Sequence, residues 1–466
     1  MTTAPPAPPA PISPARVRRA ASAVGSFRLG LAAIATAGLT LRLWVVLVAR
    51  PTCGPDPAQV ACFRINGDAL YHFTQARLIA DGHWFENGLE YLATGRHVPS
   101  AGDPPGFALL LALWSWLGFD TVTWARVWSC AVGAVTIVLV GLLARHLAGD
   151  RAGLVAAGVA AVHPLLWIND AMVMSELLYQ PVIVALMWAA VRHTEDPTRR
   201  AAALVGVGVA AAALVRGEAV TLGVFLLVPL MLWARQLGWR ERLTQLVLAG
   251  VVALAVMAPW VVWNNLRFAD PVTLTAASGS VLMAGSCDSA WSGPDMGFWA
   301  DCFTERGLWD EYEAAFPGIT APGAERVVYD ESLVDTFNRD HALEYLTDHL
   351  DRYPLVAAAR VGRAFDVFRV GHTLRNNWEL EGRWRGPSTV GLVLYYLLWV
   401  PALVGALALR RRGVRLTPLL AVWPMVAFAA ATTFGLTRYR VPVDLSLIVL
   451  AGVGVAALLD ARRAPA

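Results

Sequence analysis

The apolar runs of this chain limit its fold more than any other feature. They lie at about 29–49, 122–144, 152–168, 176–192, 201–215, 219–234, 244–263, 389–409, 416–434 and 441–459. Several approach the roughly 20 residues that a helix needs to cross a bilayer core. In hydrocarbon, backbone polar groups find partners only within a helix or a closed barrel, so runs of this length are read as helices. The expected fold is all-α, a polytopic membrane protein of about ten transmembrane helices with external juxtamembrane helices and one large external loop. Hydrophobic residues make up 56% of the 466, too many for a soluble protein. A net charge of +3 gives no sign of a nucleic-acid partner, since such proteins carry clustered basic charge. The nineteen Trp suit the two interfacial belts of a membrane protein.

One run is too short to cross. Residues 104–119 open with Asp103-Pro104-Pro105-Gly106 and give about 14 apolar positions before Gly118. That length suits an interfacial or re-entrant helix. With this run left on one side, the connections holding Arg145/Arg151, Arg192/Arg199/Arg200, Arg235/Arg240/Arg242 and Arg410/Arg411/Arg412/Arg415 share the side of the N-terminus. Arg-rich connections mark the cytoplasm. Both termini are therefore expected inside, in the cell membrane. Residues 1–28 form a disordered cytoplasmic tail, and 29–263 a transmembrane core holding an external loop at 50–121. Residues 264–388 are a second external segment, and 389–460 the last helices. Within that segment, 335–370 reads as an amphipathic helix broken near Pro354, with Arg360, Arg363 and Arg369 facing headgroups.

Of five cysteines, Cys53 and Cys62 are close in sequence, as are Cys287 and Cys302. Two close pairs in polar segments predict two local disulfides in an oxidising exterior. Cys130 stands in an apolar run and reads as a packing residue.

Charged groups at the ends of apolar spans are costly and mark function. On this topology they gather on the external side. Asp68 follows Gly67 in the first loop, where it also reads as the cap of a helix starting at Ala69. Glu176 opens the fourth span, Arg216-Gly217-Glu218 joins two others, and Asn264 closes the seventh. Arg438 and Arg440 precede the last span. Such a set suits transfer of a group from a lipid-linked phosphate donor. The Arg residues would meet the phosphate, and a carboxylate would take the proton of an acceptor hydroxyl.

Taken in order, these motifs resemble the GT-C superfamily of integral-membrane glycosyltransferases. The similar branch contains the protein O-mannosyltransferases and the aminoarabinose transferases of lipid A. The resemblance covers about 29–460. It rests on Gly67-Asp68-Ala69 with Tyr71, Asp103-Pro104-Pro105-Gly106-Phe107, Glu176, Arg216-Gly217-Glu218, the stretch from Ala258-Pro259-Trp260 to Asn264, and Thr437-Arg438-Tyr439-Arg440-Val441-Pro442. It implies an inverting transferase that takes a polyprenyl-phosphate sugar to an acceptor protein, lipid or glycan on the extracytoplasmic face. Asp68 would be the general base, with Glu176 orienting the acceptor or Asp68 itself. Arg438, Arg440 and Arg216 would hold the donor phosphate, and Asp103, Tyr71, Glu218 and Asn264 would position the acceptor.

Some relatives carry Lys where this chain has Asp103, which makes Asp103 a candidate to hold a cation or the acceptor instead. A divalent cation is the one cofactor in view, although no His/Asp/Glu cluster has metal-ligand spacing. Two alternative functions remain open. A transporter or flippase of a lipid-linked envelope precursor would also need charges at headgroup depth. An assembly or ligase protein of envelope polymers would handle a diphosphate donor instead.

Overall fold

The computed structural model describes residues 14–53, 62–316 and 330–463. Among these the chain is helical throughout, with two isolated β-bridges in place of any sheet. The first half contains α1 (Pro14–Trp44), α2 (Gly67–Ala80), α3 (Gly88–Thr94), α4 (Pro105–Trp116) and α5 (Val122–Ala148). Next come α6 (Asp150–Val162), α7 (Pro164–Met172), α8 (Glu176–Glu195) and α9 (Arg199–Ala213). The long helices after these are Trp239–Asn265, Arg385–Arg411 and Val441–Ala461.

Among the described residues, five helices are long and apolar enough to cross a membrane, or six when α6 and α7, bent by 50° at Pro164, count as one span. Pro105–Trp116 is a 12-residue apolar helix, about 18 Å long against a core of roughly 30 Å. The first helix begins at Pro14, so residues 14–28, expected to be disordered, are helical. Residues 1–13 of the expected tail lie outside the described residues.

The last helix is the axis of the bundle. It is apolar on every side, as a fully enclosed helix must be. The apolar window of Thr437–Ala461 is 83% buried, against 22% for Trp239–Asn265, which is peripheral. Helix Arg385–Arg411 lies against it closely enough that a Cβ on Gly405 would meet the Leu450 carbonyl oxygen at 1.9 Å. Small residues at such crossings let backbones approach in membranes.

The Arg-rich connections meet at one end of the bundle. Arg145 pairs with Asp150 at 2.6 Å, His146 with Glu195 at 2.7 Å and Arg199 with Glu241 at 2.8 Å. Arg151 reaches Asp460 there, and Arg415 donates to Gln236 at 2.8 Å. The two long loop segments meet at the other end. Buried Glu331 accepts from Asn87 Nδ2 at 2.8 Å, Ser100 Oγ at 2.7 Å and the Ala101 N–H at 2.8 Å, which fastens the second segment to the first.

Disulfides join Cys53 to Cys62 and Cys287 to Cys302. The second sits in a small core with Trp291, Tyr345 and Val356. Cys130 is free and buried. The amphipathic stretch is two helices, Glu331–Asp348 and Tyr353–Ala364, with the break just before Pro354. Arg360 and Arg363 do not face outward as expected. Both are buried, and they donate to the carbonyls of Ala431, Gly285, Met296 and Pro294.

Candidate active site

Asp68 lies in the first turn of α2. Asn66 holds the cap position, so Asp68 is not the cap expected from sequence. The chain enters this helix through Gly67 at φ +50, a conformation open to glycine at little cost. Asp68 is thereby left half-exposed at the rim of a cleft.

Three other connections close on it. Helix α4 docks its start on the end of α9, where the Gly106 N–H donates to the Leu214 carbonyl at 2.8 Å. That brings Asp103 toward Arg216. Glu176 is fully buried at the start of α8. Two residues before its cap, Val173 takes φ +57, a genuine outlier for a β-branched residue and one of the strained positions that collect at functional sites. A 3₁₀ turn, Thr437–Arg440, supplies Arg438.

Two guanidiniums tie the cleft together. Arg216 Nη1 donates to Glu176 Oε1 at 2.8 Å and to Ser175 Oγ at 3.2 Å, while its Nε reaches Glu218 at 2.6 Å. Arg438 Nη1 donates to Asp68 Oδ2 at 2.9 Å, and its Nε lies 3.8 Å from Glu176 and 3.6 Å from Glu381. Glu176 therefore lies between both guanidiniums. Buried Arg383 donates to Glu381 at 3.0 Å and to Asn169 at 3.2 Å.

The Arg438 guanidinium holds the Asp68 carboxyl below the usual carboxylate range. Asp103 shifts the other way. Withdrawal from water and the charge of Asp68 push it up, against His72, whose Nε2 lies 3.8 Å away.

The structure thus brings Asp68, Glu176, Arg216, Glu218 and Arg438 together, with Asp103 beside them. Three residues expected in the site lie elsewhere. Arg440 is fully buried, with Asp366 at 2.7 Å, Asp444 at 3.0 Å and the Tyr395 ring at 3.5 Å from its guanidinium carbon. Its charge is already matched, so it is not presented to a donor. Tyr71 is buried, and its hydroxyl braces Ser100 at 2.6 Å and Gln75 at 2.9 Å. Asn264 is buried and accepts from Arg267 at 2.7 Å, and Arg267 in turn holds the Phe85 and Ser100 carbonyls.

Glu381, Arg383 and His72 were missed from sequence. A Glu-x-Arg alternation directly before the apolar run at 389 was the available signal for the first two. It mirrors the Arg-x-Glu turn at 216–218.

The family model described as dolichyl-phosphate-mannose-protein mannosyltransferase matches residues 102–263. That stretch holds Asp103, Glu176 and Arg216. No curated protein sequence matches the chain. Among solved structures, the oligosaccharyltransferase AglB from Archaeoglobus fulgidus, in complex with an inhibitory peptide and a dolichol-phosphate, superposes with a TM-score of 0.51 at 10% identity. The match covers 92% of this chain and 50% of that one. A second structure of the Archaeoglobus fulgidus oligosaccharyltransferase, tethered to an acceptor peptide, gives 0.50 at 12% identity over 92% and 50% of the two chains. ArnT from Cupriavidus metallidurans, bound to undecaprenyl phosphate, gives 0.42 at 15% identity over 92% and 78%. The chain spans about half the length of the oligosaccharyltransferase structures it matches. Over residues 102–263 this chain is thus similar to the mannosyltransferase family, and its fold is similar to that of the oligosaccharyltransferase.

Proposed function

We propose that the chain moves a sugar from a polyprenyl-phosphate donor to an acceptor hydroxyl at the extracytoplasmic membrane face, with inversion at the anomeric carbon. The observation that carries this reading is the linked set Asp68–Arg438–Glu176–Arg216, half-exposed at Asp68 and buried at Glu176. Asp68 accepts the acceptor's proton as its oxygen bonds to the anomeric carbon. The bond from that carbon to the phosphate oxygen breaks, and its electron pair leaves with the lipid phosphate. Arg438 and Arg216 stabilise the charge that develops there, the electrostatic contribution that dominates such steps.

Arg438 also gives the site an order of events. Its partner Asp68 is half-exposed, and exposed ion pairs are weak, with a median of about 0–1 kcal/mol. An arriving phosphate competes for that guanidinium, while Glu176 and Glu381 keep it in place. Asp68 is released when the donor is bound, and its basicity then rises. Five carboxylates, Asp68, Asp103, Glu176, Glu218 and Glu381, share the cleft with three guanidiniums, Arg216, Arg383 and Arg438. We extend the proposal to a divalent cation near the two half-exposed carboxylates, Asp68 and Asp103, which would offset this excess of negative charge.

The gathering of Arg-rich connections at the end opposite the cleft supports the external placement of the site, by the positive-inside rule. Helix α8 runs its 20 residues from Glu176 in the cleft to Glu195 at the basic end. That is about 30 Å, the thickness of a bilayer core, so the cleft and the basic end lie one bilayer core apart.

Native membranes containing the chain, given labelled polyprenyl-monophosphate and polyprenyl-diphosphate sugars, test the reading. Sugar transfer from the monophosphate is expected. Turnover of the diphosphate alone would replace the reading with the polymer-ligase one, and transbilayer movement of intact donor without transfer would replace it with a flippase.

A further inference from the structure

The segment after α2 holds a second group of polar side chains, at the far end of that helix from Asp68 and roughly 20 Å along it. His83, Glu86 and His97 each offer one ligand atom, and these atoms all lie within 4.8 Å of one another. Spacings of three and eleven residues match no local metal motif, so the group is not legible in sequence. Backbone pairing creates it. The Asn87 N–H donates to the Val98 carbonyl and the Ser100 N–H to the Phe85 carbonyl, both at 2.8 Å, with Glu86 opposite Pro99 in an antiparallel bridge.

We infer that His83, Glu86 and His97 form a binding site for a divalent transition-metal ion of the zinc class, which clamps the end of α2 to the segment leading into Asp103. Two imidazoles and one carboxylate are a donor set that suits zinc, whereas calcium and magnesium call for oxygen ligands. The spacing is close to what an ion needs. A tetrahedral ion with bonds of ~2.0–2.2 Å holds its ligands roughly 3.3–3.5 Å apart. His83 Nδ1 lies 3.5 Å from Glu86 Oε1, and His97 Nδ1 contacts Glu86 Oε2. The two imidazoles are stacked, 4.0 Å apart with an 18° angle between planes, and their Nδ1 atoms both face the one carboxylate. All three residues keep solvent access, which leaves room for an ion to enter and for water as a further ligand.

A separate observation supports a built site. Phe85, next to Glu86, takes φ +50 although it is not glycine, a strained conformation that persists where its surroundings fix it. Its ring is buried against Trp260 and Trp263, and its carbonyl is held by Arg267. The left-handed turn sends the Phe85 ring inward and leaves Glu86 with the two histidines.

The clamp joins His83, just past the helix that carries Asp68, to His97, six residues before Asp103. The inference does not depend on the transfer reaction, because its test reads metal binding. The purified full chain in detergent, stripped with a chelator, is titrated with zinc(II) against a chromogenic competitor. One site per chain is expected, together with a rise in the thermal midpoint on zinc addition. The double substitution His83→Gln/His97→Gln is expected to weaken that site at least ~100-fold, the upper range reached by changing a ligand's partners alone. His341→Gln removes the imidazole of a different cluster, with Glu311 and Glu344, and is expected to leave binding unchanged. Cobalt(II) on the wild-type chain gives an independent readout should the double variant fail to fold. Visible d–d bands of a four- or five-coordinate ion that zinc displaces one for one are expected. No zinc site in the wild type, equal affinity in the double variant, loss with His341→Gln, or absence of those cobalt bands would overturn the inference.

Discussion

Asp68 and Arg438 stand 370 residues apart in the chain, yet the Arg438 Nη1 donates to Asp68 Oδ2 at 2.9 Å. The contact joins the first loop to the turn before the last helix, and it sets the protonation behaviour of the proposed base. Arg438 is also within 3.8 Å of Glu176 and 3.6 Å of Glu381, so the guanidinium is held even when Asp68 lets go.

The pH dependence follows from that contact. Arg438 lowers the folded-state pKa of Asp68 below its unfolded value. The pair's contribution to stability is therefore present above the ordinary carboxylate range and is lost as pH falls through the depressed value. For the reaction, kcat/KM is expected to show no acid limb attributable to Asp68 from pH 8 down to about 5, since the ordinary Asp value is already ~3.9. Arg438→Gln should move the limb upward. A wild-type limb near pH 6, or a limb that the substitution leaves in place, would contradict the pairing as the source of the shift.

The two arginines of the Thr437–Arg440 turn should separate cleanly. Arg440 is fully buried between Asp366 and Asp444, and removing one partner of such a cluster costs roughly 3–5 kcal/mol. Arg440→Ala is expected to lower the thermal midpoint sharply. Arg438→Lys keeps the charge but loses the planar fork. It should leave the midpoint near wild type and lower kcat/KM by roughly 10–100-fold, the equivalent of a charge-assisted hydrogen bond of ~1.5–3 kcal/mol. Thermal unfolding of both variants beside donor kinetics checks the contrast.

Gly133 reports on packing inside the bundle. Arg42 and Asp170 form a buried pair at 2.5 Å, and a Cβ on Gly133 would meet Asp170 Oδ2 at 2.1 Å and Arg42 Nε at 2.9 Å. Gly133→Ala is expected to destabilise by at least ~1–3 kcal/mol through overpacking. Gly158, in the interior of α6, has nothing within 4 Å of its Cβ position. Gly158→Ala should cost nothing there and gain up to ~1 kcal/mol of helix propensity. Equal thermal midpoints for the two variants would contradict the geometry.

Much of the fold was legible because the bilayer's demands are written locally. Each predicted apolar run corresponds to a helix or to a bent run of short helices, and the short 104–119 run is the 12-residue Pro105–Trp116. The cleft was legible where charge sits beside apolar sequence, as at Glu176, Arg216 and Arg438. What escaped was pairing. Arg438 and Arg440 read alike in sequence, and only the fold shows one facing the cleft and the other locked between two carboxylates. Asn264, Tyr71, Arg360 and Arg363 also read as site or surface groups. They hold loops instead, through backbone carbonyls and neutral partners that no spacing announces. The His83–Glu86–His97 group needed the chain reversal between residues 87 and 98 to exist.

The role of Asp68 as base is tested most directly by Asp68→Asn in native membranes, with sugar transfer measured beside expression level, thermal midpoint and donor binding. The substitution keeps the shape and an oxygen for Arg438, and removes the group that takes the proton. Transfer should fall by ~10²–10⁴-fold, the range of a lost general base, while folding and donor binding stay near wild type. Full transfer at wild-type expression would contradict the account.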